Sequence, residues 1–454
     1  MSKKFIFSVS AINKEDLSEI VSAFGTFDVN LTLMFRDKQK LMQTQSYGLE
    51  CPMLLYPNLE QDQNDHIPNN ECQSIYVRLV SDATLHALLD RTGIKFNNEE
   101  RFSYISQGIL KTVNYLIKMN PNIIFFAAPP HHYDTWLFGR IAQFLNIKVG
   151  FLSFSIFKNI YIYCDGMPGS CQPKIIKRPT ISNNERKIGI TGALKTFERA
   201  TYRGDLSMPA TEASLYGENK SKVFRPLQSF FERPLSLKRI IYTANLYKYF
   251  NSQKIETQLE NLKYWIFFLH YQPERSTLPE GGLYFNQFEA IARLRSLLPI
   301  DVTILVKEHP STFRRLSDPR YRNKSFYRKI NSLTKTFLIG FSQSSYDLID
   351  TSQGVATITG KIAYEARCRS KPAIIFGEGK YIGPLSELGI QHMGSEKSLL
   401  SPSNELLFHP KKYANWAIEH SVGEIDEYIK DSKKIRSNAI KISVINLIRE
   451  VEDE

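Results

Sequence analysis

"YWIFFLHYQPERSTLPEGGLYFNQFEAIARLRSLLPIDVTILVKEHP", residues 264–310, passes from one apolar run to another through a polar loop and an amphipathic stretch. Residues 264–272 read as a strand, and 284–298 carry apolar side chains at helical spacing. A second strand, "VTILVKEHP", stops at Lys307-Glu308-His309-Pro310. Strand, helix, strand is the repeating unit of a parallel sheet, because parallel neighbours need a crossover of about a dozen residues or more.

The pattern continues outward. "FLIGFS" (337–342), "GVATITG" (354–360) and "PAIIFG" (372–377) read as strands, with "SYDLID" and "KIAYEARCRS" as helices between them. Near the start, "KKFIFSVS" (3–10), "VNLTLMF" (29–35), "NIIFFAAPPHHYD" (122–134) and "KVGFLSFS" read as strands. They alternate with helical patterns at 15–25, where Gly25 closes the helix, at 99–119, and in "TWLFGRIAQFLNI". The fold class expected is α/β, with two doubly wound Rossmann-like domains and a cleft where ligands bind at the carboxyl ends of the strands. The domains fall at 1–175 and 259–410. Between them, 176–258 is polar and basic, with helical patterns in "LKTFERATYRG" and "PLSLKRIIYTANLYKYFNSQKIETQLENL", and reads as a helical connector. Residues 411–454 are helical and charged and are expected to pack back on the first domain.

Composition agrees with this size of fold. The chain has 454 residues, 42% hydrophobic and 12% aromatic, enough for large cores. The opening MSKKFIFSVSAINKED lacks the apolar core of a secretory signal, and no apolar stretch reaches the ~18 residues that cross a bilayer. A cytoplasmic location follows as the expectation. Cys51, Cys72, Cys164, Cys171 and Cys368 are odd in number and dispersed, as reduced thiols are. The net charge of +12 favours an anionic partner. Cations interleave with aromatics in 314–329 and 237–250, which fits either solvated helix faces or docking on an anionic membrane surface. Zinc-finger spacing and RNP-type aromatic motifs are absent from the sequence, so no nucleic-acid partner is expected.

Chemistry concentrates at the strand ends. His309 can donate to a phosphate oxygen and Lys307 can supply a point charge, or both serve local roles only. Thr359-Gly360 leads from a strand into a helix. There Gly allows close backbone approach, Lys361 adds charge, and Glu365 lies one turn on, suited to ribose hydroxyls. The loop "QPERSTLPEGG" offers Gln272, Glu274, Ser276 and Thr277, with Gly281-Gly282 as a possible anion nest. In the first domain, "PPHHYD" places His131 or His132 with Asp134 as a general base and its orienter; the competing reading makes Asp134 a helix N-cap.

Taken together, "YQPERSTLPEGG" (271–282), "VKEHPSTF" (306–313), "GVATITGKIAYEA" (354–366), "KPAIIFGEGKY" (371–381) and "PPHHYD" (129–134) resemble the capsule polysaccharide biosynthesis protein family, which includes bacterial Kdo transferases. The resemblance is strongest over 260–380 and faint in 176–258. It implies a glycosyltransferase of the GT-B type whose second domain binds a nucleotide sugar and whose first domain binds a glycan or glycolipid acceptor. His309 would meet the donor phosphate, and Thr359, Gly360 and Glu365 would read the nucleotide. Relatives tend to show Thr-Gly-Thr-Val-Gly where this chain has Thr-Gly-Lys-Ile-Ala. No DxD motif stands out, so neither a metal nor any other cofactor is expected. His309, Lys307 and the turn at Gly360 would neutralise the leaving phosphate, while His131, Asp134 or Glu274 would activate the acceptor. The expected partners also include the inner-membrane surface and capsule assembly proteins. A nucleotide-sugar 2-epimerase, a CDP-polyol phosphotransferase and a non-catalytic assembly component are the alternatives.

Overall fold

The computed structural model describes residues 3–9, 12–27, 29–49, 51–56, 69–92, 94–157, 160–175, 183–184, 186–192, 237–255, 262–314, 317–340, 343–377, 379, 383–393, 408–422 and 432–453. The helix expected over 194–204 lies outside them. The chain divides into two compact units: Met1–Ala193 with Ala414–Glu454, and Leu194–Tyr413. Each is built on its own mainly or wholly parallel sheet flanked by helices, so the fold class is the doubly wound α/β arrangement that the alternation predicts.

In the first unit the strands are β1 (Lys3–Ser8), β2 (Val29–Phe35), β3 (Met53–Leu55), β4 (Ile123–Phe126), β5 (Lys148–Phe154), β6 (Tyr161–Asp165), β7 (Gln172–Pro173) and, near the C-terminus, β14 (Ser421–Val422). They lie in the order β14-β6-β5-β4-β1-β2-β3, with β7 also on β6. Strands β1 to β5 pair in parallel, whereas β6 is antiparallel to β5, β7 and β14. Phe5, Ile6 and Phe7 are buried in succession, as are Ile123 to Phe126, because helices cover both faces of the sheet. The helix Ser432–Asp453 places Ile440, Val444 and Leu447 in the same core as Phe5, Phe7, Leu31 and Phe125. Asn97 begins the helix Asn98–Met119 by accepting from the Glu100 N–H at 2.8 Å, while the Glu100 carboxylate accepts from the Asn97 N–H at 2.9 Å. This reciprocal cap explains why the helix starts where it does.

The second unit has six described strands, β8 (Tyr264–Phe268), β9 (Thr303–Lys307), β10 (Thr336–Ile339), β11 (Gly354–Thr357), β12 (Ala373–Ile375) and β13 (Ile390–His392), all parallel. Their order is β10-β9-β8-β11-β12-β13. By chain position this is 3-2-1-4-5-6, so the winding reverses between β8 and β11. In open parallel sheets ligands bind at such a reversal, beyond the carboxyl ends of the strands. One core gathers Phe267, Ile304, Val306, Leu338, Ala356 and Ile374 from the sheet with Leu246, Phe250, Ile291, Tyr327 and Ile330 from helices.

The strand expected over 264–272 ends at Phe268. Leu269 N–H still donates to the Lys307 carbonyl at 3.0 Å, but at His270 a side chain takes over from the ladder. The amide of fully buried Gln287 accepts from the His270 N–H at 2.8 Å and donates to the His270 carbonyl at 3.0 Å, so no further strand pairing is possible there.

Candidate functional site

In the second unit the polar residues collect at the carboxyl ends of β9, β8 and β11, which are adjacent in that order. Parallel strands sit ~4.8 Å apart, so the ends of β9 and β11 lie about 10 Å from each other. Two buried networks hold their loops.

The first is centred on Glu308 and Arg322. Arg322 donates through Nε to Glu308 at 2.8 Å, through Nη1 to Gln272 Oε1 at 2.8 Å, and through Nη2 to the His270 carbonyl at 2.8 Å. Glu308 also accepts from Tyr327 Oη at 2.8 Å, Thr312 Oγ1 at 3.1 Å and the His309 N–H at 2.8 Å. The acid in Lys-Glu-His-Pro is therefore the anchor of the loop that carries His309. His309 itself remains partly exposed, and its Nδ1 accepts from the Ser311 N–H at 3.1 Å. A nitrogen that accepts from a backbone amide holds no proton, so in the neutral ring Nε2 carries the hydrogen and is a donor.

The second network joins β8 to β11. His270 Nε2 accepts from the Thr359 N–H at 3.2 Å, and Thr357 Oγ1 lies 3.1 Å from the same nitrogen. On the other side of the ring, Ser276 Oγ is 3.5 Å from Nδ1 and donates to Glu274 at 3.2 Å. Thr359 Oγ1 donates to the Ser276 carbonyl at 2.8 Å. The segment after β12 comes so close to the β8 loop that a Cβ at Gly377 would fall 2.5 Å from the Glu280 carbonyl oxygen and 2.7 Å from Gly281 Cα. Gly360 is under similar constraint: a Cβ there would be 2.8 Å from Thr357 Oγ1.

Several expected ligand groups face inward. Lys307 is 2% exposed and donates to Ser345 Oγ at 2.6 Å, because the last residue of a central strand lies under the covering helices. Gln272 is buried between Arg322 and the Phe285 carbonyl, to which it donates at 2.7 Å. Thr277 is fully buried and caps its own turn at Glu274 O, 3.0 Å away. The Gly281-Gly282 nest is likewise corrected: Gly281 donates to the Thr277 carbonyl and Gly282 to the Pro279 carbonyl, so both amides serve the loop. Glu274, Ser276, His309, Gly360, Lys361 and Glu365 retain exposure, whereas Thr359 is 5% exposed. The helix after the turn, Ile362–Cys368, is only seven residues long, so its dipole contributes less to anion binding than the sequence suggests.

In the first unit, the loop after β4 carries His131, His132 and Asp134. The pairing of a histidine with Asp134 does not form. Asp134 instead accepts from Arg36 Nε at 2.5 Å and from the Thr135 N–H at 2.8 Å. Arg36 directly follows β2, and this long-range contact outcompetes the sequence neighbours. Nor is Asp134 the N-cap, which is His132 before the helix Tyr133–Phe144. Burial raises the Asp134 carboxyl above its ordinary range, with Arg36 pulling the other way. Burial, then His131, Arg36 and Arg91, push His132 down to about 3. His131 Nδ1 lies 2.8 Å from the Pro129 carbonyl and must donate to it, which leaves the lone pair of the neutral ring on Nε2.

Sequence reasoning missed His270, Arg322 and Arg36. His270 stands just past an apolar run, the same signal that singled out His309. Arg322 lies within a basic, aromatic stretch that reads as a helix face, and nothing local distinguishes it. Among the described residues there is no group of three or more His, Cys, Asp or Glu that could hold a metal, and no helix is long and apolar enough to cross a membrane.

No protein-family model matches the chain, and no curated protein matches it. Solved structures similar to it include UDP-GlcNAc 2-epimerase from Methanocaldococcus jannaschii, at 14% identity over 100% of both chains with a TM-score of 0.23. Another is KpsC of Thermosulfurimonas dismutans, a beta Kdo 2,7 transferase, at 9% identity over 97% of this chain and 99% of that one with a TM-score of 0.32. A third is Anabaena Alr3699/HepE in complex with UDP and glucose, at 11% identity over 99% and 98% with a TM-score of 0.23. Likenesses at these scores place neither a substrate nor a catalytic group in this chain.

Proposed function

We propose that the protein transfers a sugar from a nucleotide-activated donor, of the CMP-Kdo kind or another nucleotide sugar, to a bacterial capsule or surface polysaccharide acceptor. The observation that carries this reading is the arrangement at the reversal of winding in the second unit. There Ser276, His309, Gly360, Lys361 and Glu365 crown adjacent strand ends and keep exposure. A nucleotide diphosphate or monophosphate needs hydrogen-bond donors, close backbone approach and a ribose acceptor, and these residues supply all three. His309 Nε2–H donates to the departing phosphate, Lys361 adds a screened positive charge, and Glu365 takes the ribose hydroxyls. Donors fixed before the reaction stabilise the developing charge without reorganising. For activation of the acceptor hydroxyl we keep His131 and Glu274, since Asp134 is committed to Arg36. No cofactor enters this mechanism. The net charge of +12 supports work beside anionic lipid and anionic glycan, at the cytoplasmic face of a membrane.

The test is a transfer assay of His309→Ala with a donor panel of CMP-Kdo, CMP-sialic acid and common UDP-sugars. Loss of transfer with the fold intact is expected; activity near that of the unmodified protein removes the assignment. Conversion of donor without acceptor would assign epimerisation instead.

A further inference from the structure

We infer that His270 is the positioning residue of the Thr359–Gly360 turn, and that it holds the turn in its phosphate-gripping form only as the neutral Nδ1–H tautomer. This rests on the reading of the second unit as a nucleotide site.

The direction of the hydrogen bonds requires that tautomer. A backbone N–H can only donate, so the Thr359 amide, 3.2 Å from Nε2, needs a lone pair on that nitrogen. The ring hydrogen then sits on Nδ1 and points to Ser276 Oγ at 3.5 Å, whose own hydrogen goes to Glu274 at 3.2 Å. The chain of donors runs one way, from the Thr359 amide into the ring and from the ring through Ser276 to a carboxylate. A second bond clamps the same segment, since Thr359 Oγ1 donates to the Ser276 carbonyl at 2.8 Å. The ring also marks how close the turn comes: a methyl group at position 360 would stand 3.4 Å from Nε2.

Protonation of the ring breaks this arrangement at one atom. With hydrogen on Nε2, the ring donates to Thr357 Oγ1, 3.1 Å away, and Thr357 can pass its own hydrogen to the Phe268 carbonyl at 3.1 Å. The buried Thr359 amide is then left facing an N–H, and the turn must move to satisfy it. Charged groups on the elements packed about the ring include Glu274 and the Arg275–Glu280 pair on its own loop, the Arg322–Glu308 pair behind its backbone, Lys307 on β9, and Lys361 with Glu365 beyond the turn. Glu274 is joined to the ring through Ser276, and Arg322 donates to the His270 carbonyl.

The consequence is an acid limit on donor binding. Calorimetry with UDP and with CMP tests it when the parent protein is compared with His270→Gln and His270→Ala. Gln places a carbonyl oxygen near the Nε2 position and does not titrate. His270→Ala is expected to weaken binding by about tenfold, and His270→Gln to restore most of that loss. The parent should lose affinity relative to His270→Gln as the solution is acidified, whereas identical pH profiles for the two overturn the proposal. A second readout needs no nucleotide. Long-range nitrogen-15 spectra should show Nε2 of His270 unprotonated at neutral pH, and the Thr359 amide resonance should move as the ring titrates. A hydrogen on Nε2, or a Thr359 amide indifferent to the titration, overturns the inference. Failure of every variant and of the parent to bind UDP or CMP, with the spectra as expected, would instead sink the donor-site reading and the phosphate role with it, while the tautomer stands.

Discussion

Glu308 and Arg322 form an ion pair in which the carboxylate side chain is 0% and the guanidinium side chain 1% exposed, with Nε and Oε2 2.8 Å apart. Two charges so thoroughly removed from water are tolerable only because their remaining atoms are bonded as well: Glu308 to Tyr327, Thr312 and the His309 amide, Arg322 to Gln272 and the His270 carbonyl. The pair ties the ends of β8 and β9 to the segment at 322, and so fixes the loop that presents His309.

Removing one partner strands the other charge. Arg322→Met is expected to destabilise the second unit by about 3–5 kcal/mol, and Glu308→Gln by a similar order. The double variant should lose markedly less than the sum of the two, because it leaves no unpaired buried charge. Urea unfolding of the three variants measures this coupling directly; simple additivity would mean that the ion pair is not the unit described here.

Gly377 illustrates the packing of the loops. A side chain there meets backbone atoms of Glu280 and Gly281 at 2.5 and 2.7 Å, and backbone cannot step aside as a flexible side chain can. Gly377→Ala should therefore cost about 1–3 kcal/mol in stability, the usual scale of overpacking. It should also weaken binding of UDP, since both displaced loops border the proposed nucleotide site. Unfolding and calorimetry on the same preparation test both halves.

His309→Asn separates holding the loop from acting on a ligand. The Asn side-chain oxygen can replace Nδ1 as acceptor of the Ser311 amide, but nothing replaces the donor at Nε2. Thermal stability should change little, while transfer falls by about a hundredfold, the scale of losing one preorganised donor to a developing charge. Equal transfer by His309→Asn and the parent would show that Nε2 takes no part.

His132 gives the first unit a pH dependence with a definite sign. In the unfolded chain the ring takes up a proton near its ordinary 6.5, whereas in the folded protein burial and the neighbouring cations delay this to about 3. The unfolded state thus binds more protons through that interval, so the stabilising contribution is complete above 6.5 and is lost as pH falls toward 3. His132→Gln should lose less stability than the parent on acidification through this window, as read from urea midpoints at a series of pH values.

The local features of the chain determine a good deal. Apolar runs of strand length, amphipathic stretches between them and Pro or Gly at the junctions establish alternating β and α elements, because side-chain periodicity and backbone restriction act over a few residues. They also determine that His309 and Thr359-Gly360 fall just beyond strands. Which strands become neighbours is decided only in three dimensions. The order with β8 between β9 and β11 brings His270 against Thr359, and it depends on pairings between segments many tens of residues apart, which periodicity does not encode. Tertiary structure likewise turned Lys307 inward to Ser345, gave Asp134 to Arg36 in place of a histidine, and made an unremarked Arg322 the partner of Glu308. A charged side chain settles wherever burial can be balanced by an opposite charge or a hydrogen bond, and only the folded chain reveals where those partners are.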